Sequence, residues 1–282
     1  MMRVEKAEGI GFCFGVRQAI AMLEKAARER GGVETVGAVV HNQQVLQKLA
    51  DEGIVIAGSV DAIKGNTVAI GAHGVDPELE AELRARYADV IDTTCPFVKR
   101  AQIAARRLAR AGFLVIIYGD TNHREVKGIL GWANGRGIAT LDSGFVRTLA
   151  RLPRRLGVLS QTTQIPAHFN QFVKDMVDAA LTKDSELRVI DTICHDLRQR
   201  QQVSLELAKK VDLMFIIGGR SSANTSHLAE LCSTVTETCL VETADEIQSS
   251  WLRNHDYIGV TGGASTDENT ISEVLTKLAA ML

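Results

Sequence analysis

The sequence has few of the features that mark nucleic-acid-binding, membrane-spanning or disulfide-rich proteins. Its 282 residues carry a formal net charge of −2, and no apolar run is long enough to cross a bilayer. It contains no CxxC pair, no Walker motif and no GxGxxG motif, so zinc ribbons and ordinary nucleotide sites are not indicated. The amino terminus lacks a signal-peptide core. These absences predict a cytoplasmic protein that binds neither nucleic acid nor membranes.

Prolines are also few, and the chain alternates between short β-rich runs and helical patterns. Only four prolines occur, and no low-complexity stretch marks a linker. The predicted strands cover residues 33–40, 67–70, 113–118, 156–159, 213–217 and 257–260. Apolar stripes at helical spacing follow three of the turns, as at Val16, Ala19, Ile20 and Leu23. This alternation predicts an α/β fold with parallel sheets, in which ligands bind beyond the carboxyl ends of the strands.

The five cysteines are an odd number and do not suggest a disulfide framework. Cys232 and Cys239 are predicted to be small core residues. The other three, Cys13, Cys95 and Cys194, follow strand-like runs, and the last two share the sequence Asp-Thr-x-Cys. A catalytic thiol would explain one of them, whereas an iron–sulfur cluster with three thiolate ligands and one open iron would explain all three.

Several histidines and small polar residues follow strands or begin helices. Imidazoles, hydroxyls, an amide and free N–H groups at helix starts can together hold an anion. These residues are His41, His73, His123, Thr162, Ser222, Asn224 and Ser265. Because few lysines or arginines accompany them, a small phosphorylated ligand is favoured over a polyanion. Arg124 and Lys127 are predicted to be solvated helix residues, and His168, His195, His227 and His255 to be structural.

Glu125 follows the loop histidine His123 by two residues and permits two interpretations. It can be a first-turn acid favoured by the helix dipole. It can also be a proton donor beside the anion site, because burial in a closed pocket would favour its protonated form.

Nine short motifs occur in order between Gly11 and Thr266: GFCFGV, VVHN, AHG, DTTCP, GDTNHREVKG, SQTT, DTIC, SSAN and GVTGGAST. Together they resemble the 4-hydroxy-3-methylbut-2-enyl diphosphate reductase family, which catalyses the last step of the methylerythritol phosphate route to isoprenoids. The resemblance implies three pseudo-equivalent α/β domains with mainly parallel sheets around a central iron–sulfur cavity. We expect their boundaries at 1–96, 97–192 and 193–282.

The resemblance also implies roles for individual residues. Cys13, Cys95 and Cys194 would hold a [4Fe–4S] cluster with one open iron, which air can convert to [3Fe–4S]. Glu125 would supply a proton. The diphosphate would be bound by His41, His73, His123, Thr162, Ser222, Asn224 and Ser265. Ala223 stands where some relatives carry a second serine, so its contact would come from the backbone N–H.

The implied reaction removes an allylic hydroxyl with two electrons and two protons, giving isopentenyl and dimethylallyl diphosphates. A ferredoxin or flavodoxin would donate the electrons to a monomeric enzyme, and no RNA-binding repeat is expected after Leu282. Two other interpretations remain open: an electron-transfer iron–sulfur protein, and a cysteine-dependent transferase or hydrolase. A third, a structural zinc protein, is disfavoured by the spacing of the potential ligands.

Overall fold

The computed structural model describes residues 3–40, 42–148, 153–180 and 184–281. Its strands are β1 (Arg3–Lys6), β2 (Val33–Val36), β3 (Ile54–Ala57), β4 (Thr67–Ile70), β5 (Asp89–Asp92), β6 (Leu114–Tyr118), β7 (Gly137–Thr140), β8 (Arg155–Ser160), β9 (Glu186–Ile190), β10 (Leu213–Ile217), β11 (Glu237–Val241) and β12 (Tyr257–Gly262). Its α-helices are α1 (Phe14–Arg30), α2 (Gln43–Asp51), α3 (Pro77–Arg86), α4 (Pro96–Arg110), α5 (Arg124–Trp132), α6 (Pro166–Ala180), α7 (His195–Ala208), α8 (Ala223–Ser233) and α9 (Glu268–Ala280).

The strands form three four-stranded sheets of the same topology. Their orders are β3-β2-β4-β5, β7-β6-β8-β9 and β11-β10-β12-β1. All the pairs between described strands are parallel. The predicted class, three α/β units with parallel sheets, is therefore confirmed. In the third sheet the fourth strand is β1, so the amino-terminal strand completes a sheet whose other strands come from the end of the chain.

The chain divides into two compact units. One consists of Met1–Arg17, Val40–Leu49 and His195–Leu282, and it contains the sheet with β1 and β12. The other consists of Gln18–Val39 and Ala50–Cys194, and it contains the two remaining sheets. The boundaries at 1–96, 97–192 and 193–282 stay a prediction.

The central strands are apolar because helices cover both faces of a parallel sheet. All five residues of β10 are buried, and Phe215 packs with Val260 and Leu278 in one core cluster. In the second sheet, Ile117 and Phe113 pack against Leu108 of α4.

The register aligns the ends of each outer strand and its inner neighbour. Asp92, the last residue of β5, pairs with Ile70 at the end of β4. Ile190 at the end of β9 pairs with Leu159, and Lys6 at the end of β1 pairs with Val260. The loops that follow such a pair of strands therefore leave the sheet side by side, and these loops carry the candidate residues.

Candidate functional site

Cys95 lies at the junction between strand β5 and helix α4. Its backbone N–H donates to the carbonyl of Ala72 at 3.0 Å, and its own carbonyl accepts from the N–H of Lys99 at 3.0 Å. Pro96 fills the first helical position, where a missing N–H costs nothing. The thiol therefore stands at a helix N-terminus, where the helix dipole favours the thiolate.

The repeated sequence Asp-Thr-x-Cys has a repeated hydrogen-bond pattern. In the first copy the Thr93 hydroxyl donates to the Ile70 carbonyl at 2.6 Å, and Asp92 accepts from the N–H of Thr94 at 2.9 Å. In the second copy the Thr192 hydroxyl donates to the Ser160 carbonyl, and Asp191 accepts from the N–H of Ile193 at 3.1 Å. The threonine thus ties the end of an outer strand to its inner neighbour, and the aspartate closes the turn before the cysteine.

Cys194 and Cys13 have the same backbone anchor as Cys95. The N–H of Cys194 donates to the Thr162 carbonyl at 2.9 Å, and the N–H of Cys13 donates to the Ala264 carbonyl at 3.0 Å. The Sγ of Cys13 also accepts from the N–H of Val16 at 3.5 Å, in the first turn of α1. Each of the three cysteines therefore precedes a helix, and its backbone N–H donates to the loop after the neighbouring inner strand.

The two remaining cysteines lie in the core, as predicted. Cys232 is fully buried beside Leu228 and Met214, and burial raises the pKa of its thiol to about 12. Burial also raises the pKa of Cys239, with a smaller contribution from Glu237. Both thiols therefore stay protonated at neutral pH, which makes them poor metal ligands.

The donor set fits an iron–sulfur cluster in its chemistry. Thiolate sulfur is the ligand that such clusters use, and Cys13, Cys95 and Cys194 lie at helix starts and form no disulfide within the described part of the chain. Over the described ranges, no three His, Cys, Asp or Glu side chains group around a single ion. A cluster has a different requirement, because its cysteines bind separate iron atoms.

Glu125 is a buried acid at the start of helix α5. It is 1% exposed, and its two carboxylate oxygens accept from the backbone N–H of Thr162 at 2.7 Å and from the Thr162 hydroxyl at 2.8 Å. Burial raises the pKa of Glu125 to about 7, although the two hydrogen bonds from Thr162 act in the opposite direction. At neutral pH this carboxyl group is therefore close to half protonated, as a general acid requires.

Two of the predicted histidines lie together near Glu125. The ring of His123 caps α5, where its Nδ1 accepts from the N–H of Glu125 at 3.2 Å. The rings of His73 and His123 meet edge to face, with centroids 5.3 Å apart. His73 follows β4 in the loop whose Ala72 carbonyl anchors Cys95. One loop and one helix start thus bring two imidazoles and an acid into the same region.

A cavity of about 320 Å³ extends from His73. Its lining includes Arg124, Lys127 and Asp76, together with residues of the loops after β2, β3 and β4. Arg124 and Lys127 are exposed, as predicted, and Arg124 covers Gly37, where a Cβ would lie 2.5 Å from its Nη1.

In the other unit, Ser222, Asn224 and Ser265 follow two adjacent central strands, β10 and β12. Ser222 caps helix α8 by accepting from the N–H of Thr225 at 3.4 Å. Both side-chain polar atoms of Asn224 and the hydroxyl of Ser265 are buried and have no hydrogen-bond partner among the residues that the structure describes. Because unpaired buried polar atoms are costly, these atoms, which lie shortly after β10 and β12, are candidates for contact with a polar ligand.

The two other predicted ligand contacts are Ala223 and His41. Ala223 is the first residue of α8, so its N–H belongs to the turn whose donors lack partners within the helix. His41 lies outside the described residues. Its neighbour Asn42 caps α2 and donates to the Ser265 carbonyl at 3.2 Å.

Sequence reasoning did not single out Asn42 or Arg200. Arg200 is a buried arginine of helix α7 that donates to the carbonyls of Gly11 and Gly262. Neither residue belongs to a pattern with a known chemical meaning, and their partners are distant in sequence. A charged side chain on the buried stripe of α7 was the available signal for Arg200.

No helix in the described part of the chain combines the length and the apolar character needed to cross a membrane.

Comparison with protein families and curated proteins gives a consistent relationship over nearly the whole chain. A sequence model of the family described as LytB protein matches residues 4–279. The 4-hydroxy-3-methylbut-2-enyl diphosphate reductase of Dehalococcoides mccartyi strain CBDB1 is 59% identical over 277 residues, which is 98% of each chain. The enzyme of the same name from Geobacter sulfurreducens is 41% identical over 281 residues, covering 98% of this chain and 97% of the relative.

Solved structures give the same relationship. A structure of (E)-4-hydroxy-3-methyl-but-2-enyl diphosphate reductase, described as the terminal enzyme of the non-mevalonate pathway, aligns with a TM-score of 0.72 and 34% identity. The alignment covers 99% of this chain and 100% of that one. The E-1-hydroxy-2-methyl-but-2-enyl-4-diphosphate reductase from Plasmodium falciparum aligns with a TM-score of 0.91, covering 99% and 88% of the chains. Its identity is 23%, so it supports the fold alone.

Proposed function

The chain belongs to the LytB protein family, and from this membership we propose that it is a 4-hydroxy-3-methylbut-2-enyl diphosphate reductase. In the proposed reaction the allylic C–O bond breaks, and two electrons and two protons are consumed. One proton leaves with the hydroxyl as water, and the other adds to carbon to give isopentenyl or dimethylallyl diphosphate. The observation that carries the proposal within the molecule is Glu125, a buried acid with a pKa of about 7.

We propose that Cys13, Cys95 and Cys194 hold a [4Fe–4S] cluster, in which the iron without a cysteine ligand can be lost to air to leave [3Fe–4S]. When bound, such a cluster supplies electrons and a Lewis-acidic iron. The support is the shared environment of the three cysteines. Each lies at a helix start, and its backbone N–H donates to a carbonyl of a neighbouring loop. Thiolates at helix N-termini are favoured electrostatically and bind iron as anions.

Glu125 is proposed to protonate the departing hydroxyl, directly or through Thr162. The carboxyl already shares a 2.8 Å hydrogen bond with the Thr162 hydroxyl, so a proton can pass along this pair with little movement. Burial helps in two ways. It keeps the acid protonated near neutral pH, and it excludes water that would otherwise compete for the proton.

The diphosphate is proposed to bind between polar groups that lie after strands or at helix starts. Buried unpaired atoms of Asn224 and Ser265, together with the start of α8 at Ser222 and Ala223, offer neutral donors to phosphate oxygens. His41, His73 and His123 would add imidazole donors, and Thr162 a hydroxyl. Neutral donors suit a small anion that must be released as product.

A ferredoxin or flavodoxin is the proposed electron donor, and the enzyme is proposed to act as a monomer in the cytoplasm. The electron donor and the monomeric state follow from the family, and the location is the one predicted from the sequence. The rival functions differ from the proposal in measurable ways. An electron-transfer protein would carry a cluster without turnover, and a cysteine-dependent transferase or hydrolase would act without iron.

The test is anaerobic purification with absorption spectra, iron and sulfide counts and turnover with a reduced mediator. Cys95→Ser is expected to lower iron and sulfide content and to abolish turnover. Cys239→Ser is the matched control, because this half-buried thiol lies in a core cluster and should leave the cluster intact. Full iron and sulfide loading of Cys95→Ser would remove Cys95 from the ligand set, and turnover by iron-free protein would favour the hydrolase alternative.

A further inference from the structure

Arg200 of helix α7 fastens two strand-end loops to each other. Its Nη1 donates to the carbonyl of Gly262 at 2.8 Å, and its Nη2 donates to the carbonyl of Gly11 at 2.7 Å. Gly262 ends β12, and Gly11 lies in the loop after β1, which is the neighbouring strand in the same sheet. One guanidinium group therefore fixes the relative position of two loops.

The two loops carry proposed functional residues shortly beyond these contacts. Gly11 precedes Cys13 by two residues, and Gly262 precedes Ser265 by three. A further hydrogen bond, from the N–H of Cys13 to the carbonyl of Ala264 at 3.0 Å, joins the same loops. Arg200 therefore helps to hold the loop of Cys13, a proposed cluster ligand, against the loop of Ser265, a proposed diphosphate contact.

The geometry requires arginine. Gly11 has a φ of +108°, a backbone conformation that favours glycine. In this conformation its carbonyl accepts a hydrogen bond from the Nη2 of Arg200. A planar guanidinium can donate to two carbonyls from fixed directions at once, whereas a lysine ammonium is a point charge on a flexible stem. A second contact joins α7 to β12, because the hydroxyls of Ser204 and Thr261 share a hydrogen bond of 2.8 Å.

The guanidinium also places a permanent positive charge beside a cavity that Cys13 lines. Arg200 is 7% exposed, and it lines a cavity of about 410 Å³ together with Cys13. The other charged residues of this cavity are Glu8, Arg17 and Asp196. A cluster gains negative charge on reduction, so a buried cation nearby stabilises its reduced form and raises its reduction potential.

We propose that Arg200 is a positioning residue that sets the Cys13 loop against the Ser265 loop and raises the reduction potential of the cluster. This inference rests on the proposed function. The two effects can be separated, because the first depends on the forked shape of the guanidinium and the second on its charge.

The test compares Arg200→Met, which removes both the charge and the fork, with Arg200→Lys, which keeps the charge alone. Arg220→Met is the control, because Arg220 is an exposed arginine of the same unit that pairs with Glu242 and Glu246. For each protein prepared with its cluster, we would measure iron and sulfide content, the midpoint potential, and KM and kcat. Hydrogen exchange of the Cys13 amide reports the loop connection without reference to turnover.

Arg200→Met is expected to lower the midpoint potential, to speed exchange of the Cys13 amide and to raise KM at least tenfold. Arg200→Lys is expected to keep the wild-type potential but to show faster exchange and a raised KM, and Arg220→Met to match the wild type. If Arg200→Met does not fold, Arg200→Lys decides the matter. Wild-type KM and amide exchange in the lysine variant would overturn the proposal.

Failure of the proposed function would be seen separately, as wild-type protein without a cluster or without turnover. Amide exchange in the Arg200 variants would still test the loop connection in that case. If the wild type turns over and Arg200→Met keeps its potential, its KM and its slow Cys13 exchange, the positioning role is wrong while the proposed function stands.

Discussion

Replacing Glu125 with glutamine removes one charge from the interior and changes little else. The side chain keeps its shape, and an amide oxygen can still accept from the N–H of Thr162, which lies 2.7 Å from the carboxylate in the wild type. The amide group can donate to the Thr162 hydroxyl in place of the hydrogen bond that the carboxylate accepts from it. The variant therefore isolates the cost of ionising a carboxyl group that is 1% exposed.

That cost depends on pH in a defined direction. Burial raises the pKa of Glu125 from 4.5 to about 7, so the folded protein binds this proton more tightly than the unfolded chain does. The resulting stability is fully present below pH 4.5 and is lost as the pH rises through about 7. At 1.36 kcal/mol per pKa unit, the wild type should lose about 3 kcal/mol relative to Glu125→Gln over this interval.

The assay is unfolding of both proteins under anaerobic conditions between about pH 5 and about pH 8.5. A difference of about 3 kcal/mol corresponds to a shift of about 6 °C in Tm for a chain of this size. Glu78→Gln, an exposed change in the first turn of α3, controls for the same change in net charge. A stability difference between wild type and Glu125→Gln that does not change with pH would refute a carboxyl that titrates near neutrality. Turnover should fall by about 10² to 10⁴ in the same variant if Glu125 is the general acid.

Two further predictions concern the loops after β10 and β12. Ser265→Ala and Asn224→Ala each remove buried polar atoms that have no partner among the described residues, so the free energy of unfolding should stay within about 1 kcal/mol of the wild type while diphosphate binding weakens about tenfold or more. Urea unfolding and calorimetry with inorganic diphosphate would measure the two, and unchanged affinity would contradict the assignment. Gly263→Ala would place a Cβ 2.2 Å from the Oγ1 of Thr225, so it should destabilise the protein by about 1–3 kcal/mol, and addition of Thr225→Ala should recover part of this loss.

The sequence predicted the inner strands of all three sheets and none of the outer ones. β10 was predictable because all five of its residues are buried and apolar. The outer strand β9 has two exposed residues of five, and β3 has two of four, so short outer strands leave little apolar signal. The predicted strand at 33–40 was too long, because Gly37 has a φ of +87° and the chain turns there, after β2 has ended at Val36.

The residues of the candidate site also differ in whether the sequence alone could predict them. Asp-Thr-x-Cys could be recognised because both copies keep their hydrogen-bonding roles within one short segment and its neighbouring strand. Arg200 could not, because its contact with Gly11 spans 189 residues and depends on the pairing of β1 with β12, against which α7 packs. Asn42 and Ser265 are 223 residues apart for the same reason. The hydrogen bonds of a turn can be predicted because its residues are consecutive in sequence. A hydrogen bond between two distant loops cannot, because it depends on the order of the strands in the sheet.

The same backbone hydrogen bond occurs in all three sheets, and it joins each candidate cysteine to a loop that carries another candidate residue. Each candidate cysteine follows an outer strand, and its N–H donates to the loop after the adjacent inner strand, at Ala72, Thr162 or Ala264. Each receiving loop also carries a residue of the proposed substrate or proton site: His73 follows Ala72, Ser265 follows Ala264, and Thr162 itself binds Glu125. One hydrogen bond therefore separates each proposed cluster ligand from a group that would hold the diphosphate or move a proton. A change in one loop should alter both, so variants of the substrate loops should also change the spectrum of the cluster.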